Sequence, residues 1–198
     1  MKTEIVLASA SKYRAASLQR LGLKFKQQPA GIDETPHLTE TPTDLASRLA
    51  HEKALSLVDT HPNSIIIGCD QTGSCNGQFL HKPGSINAAR DQLAQLSGQR
   101  AVFYTAMTII VTANAVIKKL THDLDITQLQ LRVLTTEEIA SYVEADRPID
   151  CAGSFKIEVL GIILFTEVKT SDPSALEGLS LIHLTSRLRD LGVELGLA

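Results

Sequence analysis

Three consecutive isoleucines inside SIIIGCD, residues 64–70, constrain the fold more than any other feature of the chain. A strand with one face in water alternates apolar and polar residues, so an unbroken apolar run reads as a strand buried on both faces. Elsewhere, strand-like apolar runs alternate with amphipathic helical stretches, which is the pattern of an α/β protein. Ile5 to Ala8 is a short strand; Ala15, Leu18 and Leu21 then recur at helical spacing until Gly22 supplies a stop. A helix over 42–58 starts at TPTD, with Thr41 as N-cap, Pro42 in the first turn and Asp44 closing a capping-box-like pair. Asn76-Gly77 is the strongest hairpin signal. Ser85 caps a helix with Ile86, Ala89, Leu93 and Leu96 inward, ended at Gly98. Residues 101–133 are strand-rich, with Leu129, Leu131 and Val133 alternating against polar neighbours. Thr135 or Thr136 opens a helix to about Ala145, CAGSFKIEVLGIILFTEV is expected to form two strands, and SLIHLTSRLRDLG a last helix. No repeat or linker interrupts the pattern, so residues 1–198 are expected to form one domain, with two lobes around a central cleft.

Composition narrows the function. A formal charge of −3 argues against a broad basic surface for duplex nucleic acid, and five phenylalanines and three tyrosines leave little for a base-stacking platform. The three cysteines, Cys69, Cys75 and Cys151, are odd in number and lack CxxC spacing. A reduced, cytoplasmic protein without zinc is expected. The opening MKTEIVLASAS has too short an apolar run for a signal peptide or membrane span. The six histidines fall into no ligand spacing.

The stretch LASASKYRAASLQRLG, residues 7–22, passes from strand to helix through small residues. With Ser11 as N-cap, Lys12 and Arg14 fall in the first helical turn, where the positive end of the helix dipole disfavours each by about 0.3–1 kcal/mol. An anion at the turn removes the conflict. Free N–H groups, approachable Ala8, Ser9 and Ala10, and two cations describe a phosphate site; a capped surface helix with two solvated cations is the alternative.

Lys53 lies on the apolar stripe of helix 42–58 with Ala46, Leu49, Ala50 and Leu57. It either pairs with an acid or lays its methylenes along the stripe and sends its ammonium to water. Asp70 closes the isoleucine strand, and ligands of open α/β sheets gather at strand ends; the bland reading is a cap on the next turn. The Asn76-Gly77 turn sets a register in which Gln71 faces Lys82, and a bulge at Gly73 would be needed to align Lys82 with Asp70. Asp33-Glu34 adds two carboxylates in the loop before helix 42–58, a place where acids are commonly just solvated.

Taken together, LASAS-x-x-R from residue 7, DETP at 33–36, RLAHEKA at 48–54, IIGCDQ at 66–71, HKPG at 81–84, CAGSFKIE at 151–158 and DPSALEGL at 172–179 resemble the Maf family of nucleoside triphosphate pyrophosphatases. DETP, GCDQ and CAGSFKIE look like its YceF-type subgroup, whose substrate is 7-methyl-GTP. The resemblance implies a Maf/ITPase-like mixed sheet with flanking helices, a divalent cation (Mg or Mn), and a homodimer. By resemblance Asp70 is the catalytic base and, with Glu34, a metal ligand. Lys53, Lys82 and Glu34 join it in the catalytic set; Ser9, Ser11, Lys12 and Arg14 bind phosphate; Tyr13, Gln71 and Glu158 set specificity. Lys12 stands where the family usually has proline, Ala15 where it has a second arginine, and Ser180 where it has proline. Lysine is a point charge and not a bidentate fork, so the grip on phosphate differs. The alternatives are a pyrophosphatase for dTTP, UTP or other noncanonical triphosphates, and a sensor that binds nucleotide without hydrolysis.

Overall fold

In the computed structural model, which describes residues 3–195, the backbone is a mixed α/β fold. The strands are β1 (Glu4–Leu7), β2 (Lys26–Gln27), β3 (Ser64–Cys75), β4 (Gln78–Leu80), β5 (Arg100–Ala113), β6 (Val116–Leu131) and β7 (Phe165–Lys169). The helices are α1 (Lys12–Arg20), α2 (Pro42–Leu55), α3 (Ile86–Leu96), α4 (Thr136–Asp146) and α5 (Leu181–Asp190), with 3-10 turns at Ala152–Ser154, Gly161–Leu164 and Pro173–Glu177. Strand order is β2-β1-β3-β5-β6-β7, and β4 pairs with β3. Among the described residues no helix is long and apolar enough to cross a membrane. The chain divides into two compact units, Met1–Gln71 with Thr105–Asp125 and Asp172–Ala198, and Thr72–Tyr104 with Ile126–Ser171.

In the first unit β1 runs parallel to both β2 and β3. The isoleucine triplet is indeed buried on both faces. Ile65 and Ile67 join Ile5, Leu7, Leu18 of α1 and Leu184 and Leu188 of α5, while Ile66 turns the other way to meet Val6, Ala54, Leu57 and Val58. The helix starts follow the expected chemistry: Ser11 Oγ accepts from Arg14 N–H, and Thr41 Oγ1 accepts from Asp44 N–H. Helix α2 ends at Leu55, short of residue 58, because the chain tightens there. Ser56 Oγ caps the Lys53 carbonyl, and Leu57 and Val58 bond back three residues, to Ala54 and Leu55. β2 carries no apolar pattern, only Lys26 and Gln27 bonded along β1, so periodicity does not reveal it.

In the second unit the Asn76-Gly77 hairpin has the expected register, with Cys75, Ser74 and Gly73 opposite Gln78, Phe79 and Leu80. The ladder stops there, and Gln71 does not pair with Lys82. Lys82 precedes Pro83, which has no N–H and restricts the residue before it. Gly73 is not a bulge either: it sits in register, and a Cβ there would lie 2.7 Å from the Phe103 ring. Phe103, Phe155 and Phe165 meet edge to face at centroid distances of 5.3 and 5.0 Å at the heart of this unit. Residues 151–168 give one strand where two were expected. The Gly161 N–H bonds back to the Lys156 carbonyl at 2.9 Å, so the chain turns over 156–161, and Val159, Leu160, Ile162 and Ile163 stay exposed.

Candidate active site

The four charged side chains that matter most meet in the first unit, and one glycine makes the meeting possible. Gly68 lies on β3 against α2; a Cβ there would sit 2.2 Å from the Ala50 carbonyl oxygen and 2.6 Å from the Ala54 nitrogen. Without a side chain, helix and strand approach closely, and residues two apart on a strand share a face. Asp70 therefore shares the face of Gly68, turned toward α2 and Lys53. Lys53 Nζ donates to Asp70 Oδ1 at 2.7 Å, with both side chains below one-tenth exposed. The lysine pairs with an acid; it does not snorkel. Asp70 is not at the end of its strand, because β3 continues to Cys75, so its place comes from this pairing and not from a strand terminus.

Two further charges complete the cluster. Glu34 reaches in from the 33–40 loop and puts Oε1 2.9 Å from Lys53 Nζ, although its side chain is 57% exposed. Arg14 Nη2 lies 3.9 Å from Asp70 Oδ1. Burial works against the Arg14 cation, but Cys69, Asp70 and Glu34 together hold it above its ordinary pKa. Burial also pushes the Cys69 thiol up. Two acids and two cations thus balance one another formally. Both carboxylates bond Lys53 through a single oxygen, Oδ1 of Asp70 and Oε1 of Glu34. No group of three or more His, Cys, Asp or Glu among the described residues is arranged for a metal ion. Two carboxylates that each keep one oxygen off the lysine do fit magnesium, which takes one or two carboxylates and completes its shell with water and substrate phosphate.

The turn before α1 is more self-contained than its sequence implies. Ser9 N–H bonds the Leu7 carbonyl at 3.0 Å, Ser11 N–H bonds Ser9 Oγ at 3.1 Å, and Arg14 N–H is capped by Ser11 Oγ. Those N–H groups are thus not free for an anion. Arg14 itself donates Nε to the Gly178 carbonyl at 2.9 Å and Nη1 to Ser9 Oγ at 3.3 Å. Gly178, at φ 92°, allows this approach, since a Cβ would lie 3.2 Å from Arg14 Nε. Lys12 is exposed, and its ammonium lies 5.0 Å from the centroid of the half-buried Tyr13 ring.

Gln71, next to Asp70, has its amide orientation dictated by its partners. Its Nε2 lies 2.7 Å from the Ala175 carbonyl, which can only accept, and 3.0 Å from Thr105 Oγ1, which gives its own proton to the same carbonyl at 3.0 Å. The side chain therefore presents Oε1, an acceptor, away from this triangle. Lys82 and Glu158 belong to the second unit and are exposed. Of the residues singled out from sequence, the structure gathers Ser9, Ser11, Arg14, Glu34, Lys53 and Asp70 into one bonded set. Around it stand Arg48, Thr105, Gly178 and Gly68, none of which stands out by residue type; only Gly68 carried a signal, a glycine directly after three isoleucines.

Residues 4–191 match the family described as Maf-like protein. A 7-methyl-GTP pyrophosphatase of Xanthomonas oryzae pv. oryzae is 44% identical over 195 residues, spanning 98% of this chain and 100% of that protein. Proteins of the same name from Alcanivorax borkumensis and Bordetella pertussis are 44% and 41% identical, over 98% and 96% of this chain and 96% and 94% of theirs. Among solved structures, a Ham1 protein of Staphylococcus aureus superposes with TM-score 0.53 at 12% identity, over 96% of this chain and 100% of that one. A HAM1 protein of Coxiella burnetii superposes at 0.52 with 16% identity, over 95% and 99%. At such identities the structural likeness concerns the fold alone.

Proposed function

The chain belongs to the Maf-like protein family, and from that premise we infer that it is a nucleoside triphosphate pyrophosphatase hydrolysing 7-methyl-GTP to 7-methyl-GMP and pyrophosphate. The observation that carries the chemistry is the nearly buried Lys53–Asp70 pair, joined by Glu34 and Arg14.

In this reading Asp70, oriented by Lys53, takes the proton of a water as its oxygen bonds the α-phosphorus and the bond to the leaving pyrophosphate breaks. Lys53, Arg14 and the exposed Lys12 balance the charge that accumulates on the phosphates. Asp70 and Glu34 would hold a divalent cation, and when bound it would supply further polarisation of the phosphate oxygens. Because the Ser9 and Ser11 N–H groups are engaged within the turn, side-chain cations are the main grip on the phosphates, with Ser9 and Ser11 setting the shape of the turn. For the base, the positively charged ring of 7-methylguanine is attracted to the Tyr13 face by about 0.5–2 kcal/mol. Lys12 lies over that ring, its ammonium 5.0 Å from the centroid, and would have to move for the base to stack there. Gln71 offers an acceptor to the N–H edge of guanine. Three free cysteines are compatible with a reducing compartment and support the reading of a cytoplasmic enzyme.

The test is pyrophosphate release with magnesium from 7-methyl-GTP, GTP, dTTP and UTP at equal concentration. We expect 7-methyl-GTP to be strongly preferred. Preference for dTTP or UTP would overturn the substrate, and release from none of the four would overturn the activity.

A further inference from the structure

Glu34 sits on a stretch without regular structure between β2 and α2, and more than half of its side chain is in water, yet its carboxylate is held 2.9 Å from Lys53 Nζ. An exposed ion pair on an irregular loop gains little by itself, because ordering the chain offsets the attraction. The loop is tied down elsewhere, and the tie is Arg48 of α2. Arg48 Nε donates to Glu40 Oε1 at 2.6 Å and Nη2 donates to Glu40 Oε2 at 2.9 Å, a two-pronged fork. The same Nη2 donates to the Thr35 carbonyl at 3.1 Å, and Nη1 donates to Glu52 Oε2 at 3.0 Å. Glu40 Oε2 accepts the His37 N–H at 3.0 Å, and Asp33 Oδ1 accepts the Thr35 N–H at 2.9 Å. Residues on both sides of Glu34 are thereby fixed, and one guanidinium connects them to the helix that also carries Lys53.

We propose that Arg48 is a positioning residue for the pyrophosphatase reaction: by clamping residues 33–40 onto α2 it holds the Glu34 carboxylate against Lys53 and beside Asp70. This rests on the assignment of Glu34, Lys53 and Asp70 to the reaction. The fork also holds the Glu40 carboxyl far below its ordinary range, to about 2, with the Arg48 hydrogen bond as the main cause, so the clamp is intact at any pH at which the enzyme would work. A lysine at position 48 keeps the charge but cannot form the fork or reach Glu40, Glu52 and Thr35 together.

The experiment measures kcat and KM for 7-methyl-GTP in Arg48→Lys, made both in the wild-type chain and in Glu34→Gln, with hydrogen exchange at the Thr35 and His37 amides read in parallel. We expect Arg48→Lys to lower kcat about 10- to 100-fold, as is usual for residues that orient ligands and catalytic groups from behind, and to speed exchange at both amides. In the Glu34→Gln background the same substitution lowers kcat no further, because its effect passes through Glu34. An unchanged kcat, or an equal loss in both backgrounds, would overturn the proposal. If Arg48→Lys does not fold, Glu40→Gln weakens the same fork and is expected to reproduce both readouts; normal kcat and protected amides in that variant would overturn the proposal equally. A wild-type chain that releases no pyrophosphate strikes the functional reading instead, and the exchange of Thr35 and His37 then decides whether the clamp exists.

Discussion

Replacing Lys53 by Met removes the ammonium but keeps most of the side-chain volume, so it asks directly what the buried charge contributes. Asp70 has less than a tenth of its side chain exposed, and in the variant its remaining cation is Arg14 Nη2 at 3.9 Å, beyond hydrogen-bond distance. Breaking a buried pair from one side costs about 3–5 kcal/mol, and residual attraction to Arg14 puts this case near the lower end. About 3 kcal/mol in a chain of this size lowers the melting temperature by about 6–12 °C. Asp70→Asn should behave differently. Lys53 keeps Glu34 at 2.9 Å and the new amide oxygen still accepts, so the expected loss is about 1 kcal/mol, while turnover falls about 100-fold or more with the loss of the base. The double variant Lys53→Met/Asp70→Asn, in which position 70 no longer carries a buried charge, should be more stable than Lys53→Met alone. Thermal melts followed by circular dichroism, with urea titrations to check that the slope is unchanged, make the comparison. A Lys53→Met protein that melts within about 2 °C of wild type, or a double variant that melts lower than the single one, would refute the reasoning that Asp70 is held as a desolvated charge.

Two other perturbations follow from particular contacts. Gln71→Glu is nearly isosteric, but it sets a carboxylate oxygen against the Ala175 carbonyl in place of an N–H 2.7 Å away; we expect about 1–3 kcal/mol of destabilisation, more than for Gln71→Met, and equal urea midpoints for Glu and Gln would contradict the assigned amide orientation. Glu40 offers a pH dependence with a definite sign. Its folded pKa of about 2 lies below its ordinary 4.5, so its contribution is fully present above the unfolded value and is lost as pH falls through the folded one. The stability advantage of wild type over Glu40→Gln should therefore be constant above pH 4.5 and vanish between 4.5 and about 2; urea titrations across that range check it, and an advantage that persists at the acid end would contradict the Arg48 fork.

Much of this protein is legible in its chain because the relevant physics is local or periodic. Hairpin register follows from Asn76-Gly77, where Asn76 takes φ 50° and Gly77 φ 77°, and helix starts follow from Ser11, Thr41, Ser85 and Thr135, whose side-chain oxygens each accept the N–H three residues on. Burial of the isoleucine triplet on both faces follows from its lack of alternation. The same reasoning fails at VLGIIL, where an equally apolar run forms a turn with four exposed aliphatic side chains, because hydrophobicity by itself does not say whether a partner surface arrives.

The candidate site divides the same way. A lysine on an apolar stripe must find an acid or reach water, so the sequence by itself determined that Lys53 was anomalous and that Asp70 and Glu34 were available carboxylates. Which acid it meets, through which oxygen and beside which arginine, was decided only in the tertiary structure. Those pairings join residues 14, 34, 53, 70 and 178, and they depend on how closely α2 can approach β3 at Gly68 and on a loop held by Arg48. Local periodicity records which face a side chain leaves from. Distances between faces are set by packing, to which every residue of the intervening chain contributes.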